Sequence, residues 1–168
     1  MSDFVKDLES YAVKHSIRFS YGNRANQNLL RSDLTPERTY LLLDPITRLK
    51  NFSEFGGAGN LAYSGQFLLV VKSTIDKTYY NQDAGERFEN TTEAMDGGFV
   101  VNNSCETPFG KGKYDAYIYP ILTNALTLLE EEINCTDYQI NNWQILDAIN
   151  VLDVNLDGVL VTFNVSKL

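Results

Sequence analysis

Near the N-terminus apolar residues recur at helical spacing: Phe4, Leu8, Tyr11 and Ala12 share one face, with Val5 on its flank. Ser2 or Asp3 is positioned to cap this helix, which should end near His15. "SIRFSYG" then predicts a short strand closed by Gly22. Residues 23–38 are polar, with a helical turn at "TPER", where Thr35 caps and Pro36 takes the first helical position. Two continuous apolar runs follow, "TYLLLDPI" at 39–46, stopped by Pro45, and "GQFLLVVKS" at 65–73. Both read as buried strands.

From Thr74 to Gly112 the texture turns polar and loses its period, apart from a hairpin suggested at "DGGFVV". A segment of that length inside one domain is functional or orders on binding. Beyond it, apolar residues at 117, 118, 121, 122, 125, 126, 129 and 133 trace one face of a longer helix, in which Pro120 takes the first turn or makes a kink. "YQINNWQILDAINVLDV" and "GVLVTFNV" read as two strands joined by a turn. The fold expected is a single α+β domain over 1–168. It has a small mixed or antiparallel sheet, helices packed on one face, residues 74–112 as an inserted loop or arm, and a C-terminal hairpin. Leu41, Leu42, Phe67, Leu69, Ile121, Leu122, Leu126, Leu129, Trp143 and Ile145 are the expected core.

Composition narrows the partners. The 168 residues are 43% hydrophobic and 12% aromatic, enough for a packed core. The net charge of -8 argues against gripping nucleic acid, because phosphate binding needs clustered Lys and Arg. Cys105 and Cys135 lie far apart without metal-ligand spacing and read as reduced thiols. The amphipathic N-terminus does not read as a signal peptide, and no apolar run approaches a membrane span. The N-x-S/T triplets at 51 and 134 carry little weight in so Asn-rich a chain.

The sharpest chemical signal is "DVNLDG": Asp153, Asn155, Asp157 and Gly158 have the spacing that opens a calcium loop. The twelfth position, where such a loop needs a bidentate carboxylate, is Asn164, and the flanks are β-rich. The motif therefore reads as a hairpin turn at Asp157-Gly158, with Gly supplying a positive φ. The single histidine, His15, reads as a capping or solvated residue at a helix end. Ser64 in "AYSGQ" lacks the glycines of a nucleophile elbow. "FGGAGN" at 55–60 is not followed by Lys-Ser/Thr and reads as a turn, and "GKGK" at 110–113 reads as a hinge. "EEE" at 130–132 reads as a solvated face, though acids sit poorly at a helix C-terminus. No catalytic, cofactor-binding or metal-ligating residue is assigned.

A resemblance adds what these residues leave open. The first helix, "RFSYGNRANQN", "TYLLLDPI", an interrupted β region, a helix of Y-x-x-Y-I-Y-P-I-L…LLEEEI character and a C-terminal hairpin follow in order. Most of the chain apart from the insertion thus resembles tail-terminator, tail-completion and neck-ring proteins of tailed bacteriophages. The ending "LDVNLDGVLVTFNV" is similar to those of phages and prophages of Bacteroides-type bacteria. The resemblance implies a non-enzymatic virion protein, made in the bacterial cytoplasm and built into the head–tail junction or tail. Its partners would be copies of itself in a ring, often six or twelve, and adjacent connector, portal-side or tail proteins. DNA would pass through the lumen without specific binding; no cofactor and no membrane are involved. An acidic lumen suits DNA passage, and a long loop suits contact with neighbouring subunits. The alternatives are a small-molecule or calcium-binding module, which a calcium-dependent rise in melting temperature would reveal, or a hydrolase with an unrecognised site.

Residues 74–112 have few apolar anchors, and ordering each residue costs roughly 1–2 kcal/mol of backbone entropy. Deleting 74–112 is expected to leave a folded domain that no longer assembles. Strong hydrogen-exchange protection of this segment in the isolated subunit would show instead that it belongs to the core.

Overall fold

The computed structural model describes residues 3–22, 34, 38–52, 59–72, 117–151 and 156–168. Helix α1, Phe4–Lys14, buries Phe4, Val5, Leu8 and Ala12, as the spacing predicts. Asp3 holds the N-cap position, but its side chain makes no cap bond. Its carboxylate instead accepts two bonds from Arg48, from Nε at 2.9 Å and Nη2 at 2.8 Å. The C-terminal end closes by a Schellman arrangement, in which the Ile17 N–H bonds the Ala12 carbonyl at 2.8 Å and the Ser16 N–H bonds Val13 at 3.0 Å. Ser16 takes the left-handed position, φ 59°, that glycine more often fills.

Six strands follow: β1 Arg18–Tyr21, β2 Thr39–Leu43, β3 Thr47–Lys50, β4 Leu61–Lys72, β5 Tyr138–Val151 and β6 Leu156–Lys167. They form one mixed sheet of order β1-β2-β4-β6-β5, with β3 also paired to β4. The β1–β2 pair is parallel and the others are antiparallel. Strand β3 is the element the sequence pattern missed, because "TRLK" is short, wholly exposed and has no apolar alternation. β2 and β3 occupy one side of β4 in succession. The register steps from Leu43↔Phe67 to Thr47↔Ser64, so three residues, 44–46, stand against two. The irregularity falls at Pro45, which has no N–H to give to a ladder.

The second helical stretch is described from Tyr117 and is not regular. Ile121–Ala125 is a π-helix, and helix α2, Leu126–Asn134, follows it directly. Pro120 precedes the wide turn with helical φ and ψ of -61° and -36°. The buried residues are Ile118, Ile121, Leu126, Leu129 and Ile133. The five-residue step from Ile121 to Leu126 would leave the face of a regular α-helix, and the i→i+5 turn absorbs it. The Thr127 hydroxyl donates to the Leu122 carbonyl at 3.0 Å within that turn.

Both helices pack on one face of the sheet, against Leu41, Leu43, Phe67, Leu69, Val161 and Phe163. Phe4 is the hub, with ring centroids 5.5 Å from Tyr63, 5.3 Å from Tyr138 and 5.2 Å from Phe163. The opposite face carries a smaller cluster of Tyr40, Leu42, Leu68, Val70 and Leu156. Of the expected core, Leu122 and Trp143 are half-buried, and Ile145 is 42% exposed. Ile145 corrects the expectation: it lies on β5, which among the described residues has a neighbouring strand on one side only. No helix among the described residues is long and apolar enough to cross a membrane. The predicted turn at 35–37 and the insertion 74–112 lie outside the described residues.

A Cβ on Gly158 would lie 2.0 Å from the Leu69 carbonyl oxygen and 2.8 Å from the Val70 Cα. Gly158→Ala must therefore push two central strands apart and is expected to cost about 1–3 kcal/mol or more. Urea denaturation measures this, and an unchanged midpoint would contradict the close approach.

Candidate functional site

The calcium-like motif is the natural starting point. Strands β5 and β6 pair antiparallel from Tyr138↔Lys167 to Val151↔Leu156, so the expected C-terminal pairing is present. Its turn is not at Asp157-Gly158. Both residues lie inside β6, with Asp157 opposite Val71 and Gly158 opposite Val70 and Ala148. Gly158 is needed for close approach, not for a positive φ, which among the described glycines occurs at Gly22. Asp157 is 0% exposed, and the chain from Leu156 to Asn164 is extended, which does not wrap a calcium loop. Asp153 and Asn155 lie outside the described residues.

His15 stands at the C-cap of α1, as expected of it. Its Nε2 is 3.0 Å from the Glu132 Oε1, and the Lys14 ammonium donates to the same oxygen. Lys14 first, and His15 second, hold the Glu132 carboxyl below its ordinary pKa. The acid that sits poorly at the end of α2 is thus matched by a lysine and a histidine at the end of α1. The sequence hint was the opposite charge of the two helix ends, but nothing in the sequence pairs residues so far apart. Ser64 lies within β4, opposite Thr47 and Asn164, not at a strand-to-helix elbow.

Glu130, in the same acidic run, does not lie on a freely solvated face. It is half-buried, and burial pushes its carboxyl pKa up. The indole N–H of Trp143 pulls that pKa partly back, yet it is buried and closes no hydrogen bond of normal geometry. Nearby in the fold, the Tyr138 hydroxyl donates to Asp7 at 2.5 Å, tying β5 to α1.

An open groove of about 600 Å³ lies where α1 hands over to β1, lined by Glu9, Ser16, Arg18, Arg38 and neighbours. Its lining holds two arginines and one carboxylate, that of Glu9, which accepts from Lys6 at 2.9 Å, and the groove lies by the negative end of the α1 dipole. "FGGAGN" connects two paired strands: the Asn51 N–H bonds Asn60 at 3.0 Å, and a Cβ on Gly59 would collide with the Asn51 carbonyl. Residues 55–58, "GKGK" and Cys105 lie outside the described residues, while Cys135 is a free, exposed thiol. Among the described residues no three His, Cys, Asp or Glu side chains come together as a metal site.

Comparison with known proteins finds no matching family, no similar curated protein and no similar solved structure. Function must therefore be read from this chain's own residues.

What those residues build is structural: a salt cluster tying two helix ends, a carboxylate clamp between Asp3 and Arg48, and a half-buried acid beside an indole. The Glu130–Trp143 contact is directly measurable, because Trp143 is the single tryptophan of the chain. A carboxyl whose folded pKa is raised favours folding at pH below its ordinary 4.5, and that contribution is lost as the pH rises through the higher folded value. Glu130→Gln is therefore expected to raise the melting temperature at neutral pH more than at pH 4. It should also abolish a pH-dependent change in tryptophan fluorescence that follows the titration of this raised carboxyl. An unchanged fluorescence titration in the variant would show that Glu130 does not act on Trp143.

Proposed function

We propose that this chain is a structural virion protein that forms a ring at the head–tail junction or tail end of a tailed bacteriophage. It joins connector and tail around the DNA channel. The observation that carries this reading is the ordered resemblance of the sequence, from the first helix through "TYLLLDPI" and the Pro120 helix to the C-terminal strands. The α+β fold, with both helices on one sheet face and β5 paired to β6, is compatible with it. So is the net charge of -8, which disfavours retention of a polyanion threading the ring.

In this reading the protein is no enzyme and holds no cofactor. Its partners are further copies of itself, six or twelve to a ring, and the connector, portal-side or tail proteins above and below. It is made in the host cytoplasm and resides in the virion.

Electron microscopy of the purified full chain, alone and with phage particles, is the direct test. Closed rings and labelling at the neck or tail are expected, together with no retention of duplex DNA at physiological salt. Particles that lack the protein, or salt-dependent DNA binding of the kind basic proteins show, would sink the reading.

A further inference from the structure

We propose that the groove beside α1 binds a small organic phosphate, whose anionic group is held between Arg18 and Arg38. The parallel pairing of β1 and β2 creates the site. β1 starts at Arg18, Arg38 directly precedes β2, and the register sets Arg18 opposite Tyr40. Both arginines therefore stand at the same end of the strand pair. α1 closes the groove from the other side with Glu9 and Val13.

The charges around the groove favour an anion. Of the three described arginines, Arg48 is bound to Asp3. Arg18 and Arg38 are exposed, and among the described residues neither makes a hydrogen bond or an ion pair. The carboxylate in the lining, that of Glu9, already accepts from Lys6 at 2.9 Å. The negative end of α1 amounts to about half a charge, and its last carbonyls are taken up. The His15 N–H bonds Tyr11 and Ala12, the Ser16 N–H bonds Val13, and the Ile17 N–H bonds Ala12. Two full guanidinium charges outweigh what remains. Carboxylates elsewhere on this acidic chain are screened beyond about 8 Å at physiological salt.

Size and chemistry define the ligand. A volume of about 600 Å³ is that of a small-molecule site. A guanidinium grips phosphate oxygens in pairs, so two of them suit the doubly charged, three-oxygen head of a phosphate monoester. The hydroxyls of Ser16 and Thr39 add donors to the same lining. Val13, 66% exposed, and the half-buried Phe19 supply an apolar wall that a bare phosphate would leave unused. One copy of the chain builds the whole site, so it does not depend on the ring reading.

Calorimetric titration of the full chain at about pH 8, where a phosphate monoester carries close to two charges, tests this. The probes are phenyl phosphate, inorganic phosphate and benzoate. Phenyl phosphate is expected to bind tightest, and more weakly as salt is raised. Arg18→Gln and Arg38→Gln should each weaken it by about tenfold, with circular dichroism as a check on folding. Lys50→Gln, which removes a cation from β3, should leave it unchanged. No binding of phenyl phosphate at millimolar concentration, indifference to both arginine substitutions, or an equal loss in Lys50→Gln would overturn the proposal. Inorganic phosphate binding as tightly would mean an adventitious ion only, and tighter binding of benzoate would refute phosphate as the recognised group. Rings from a chain that does not bind phenyl phosphate would remove this site and leave the ring reading standing. Binding without rings would do the reverse.

Discussion

Strand β4 has to hide both of its faces, and the architecture follows from that. Phe67 and Leu69 point into the helix-covered core, while Leu68 and Val70 point into the cluster on the other side. Burying one such side chain is worth about 1.5–3 kcal/mol, so neither face can be left to solvent cheaply. β4 accordingly sits inside the sheet, flanked by β2 and β3 on one side and paired along its length with β6 on the other. The tightest point of this arrangement is Gly158, where β6 approaches β4 too closely for any side chain.

Away from β4 the apolar demand falls, and polar contacts set the geometry. Arg48 on β3 clamps Asp3 at the start of α1. Lys14 and His15 at its end meet Glu132 at the end of α2. Tyr138 reaches from β5 to Asp7. These links join elements distant in sequence, and most of them lie at the surface, where an ion pair contributes little to stability. They are better understood as fixing how the helices lie on the sheet than as holding the domain together.

Such an organisation fits a component that works through its surface. The described histidine and the carboxylates of Asp3, Asp7, Glu9 and Glu132 are engaged with neighbouring side chains. Among the described residues the outer edge of β5 is long, nearly uncharged and without a strand beside it.

Much of the fold was legible in the chain itself. The helical repeat of Phe4, Leu8 and Ala12, the unbroken runs in β2 and β4, and the two apolar C-terminal runs set the order of the elements apart from the exposed β3, because apolar periodicity is local. Three things were decided only by the tertiary structure. Ile145 reads as core in sequence but lies on an edge strand, and edge or centre is a property of pairing, not of the strand's own residues. Asp157-Gly158 reads as a turn, yet it lies in a ladder, because glycine serves a close approach as well as a positive φ and sequence does not separate the two. Glu130 and Glu132 read as one solvated run, whereas one is half-buried beside Trp143 and the other is bound to α1. Residues two apart on a helix point in different directions, and what each one meets is set by packing: Glu130 meets β5, and Glu132 meets the end of α1, more than a hundred residues away.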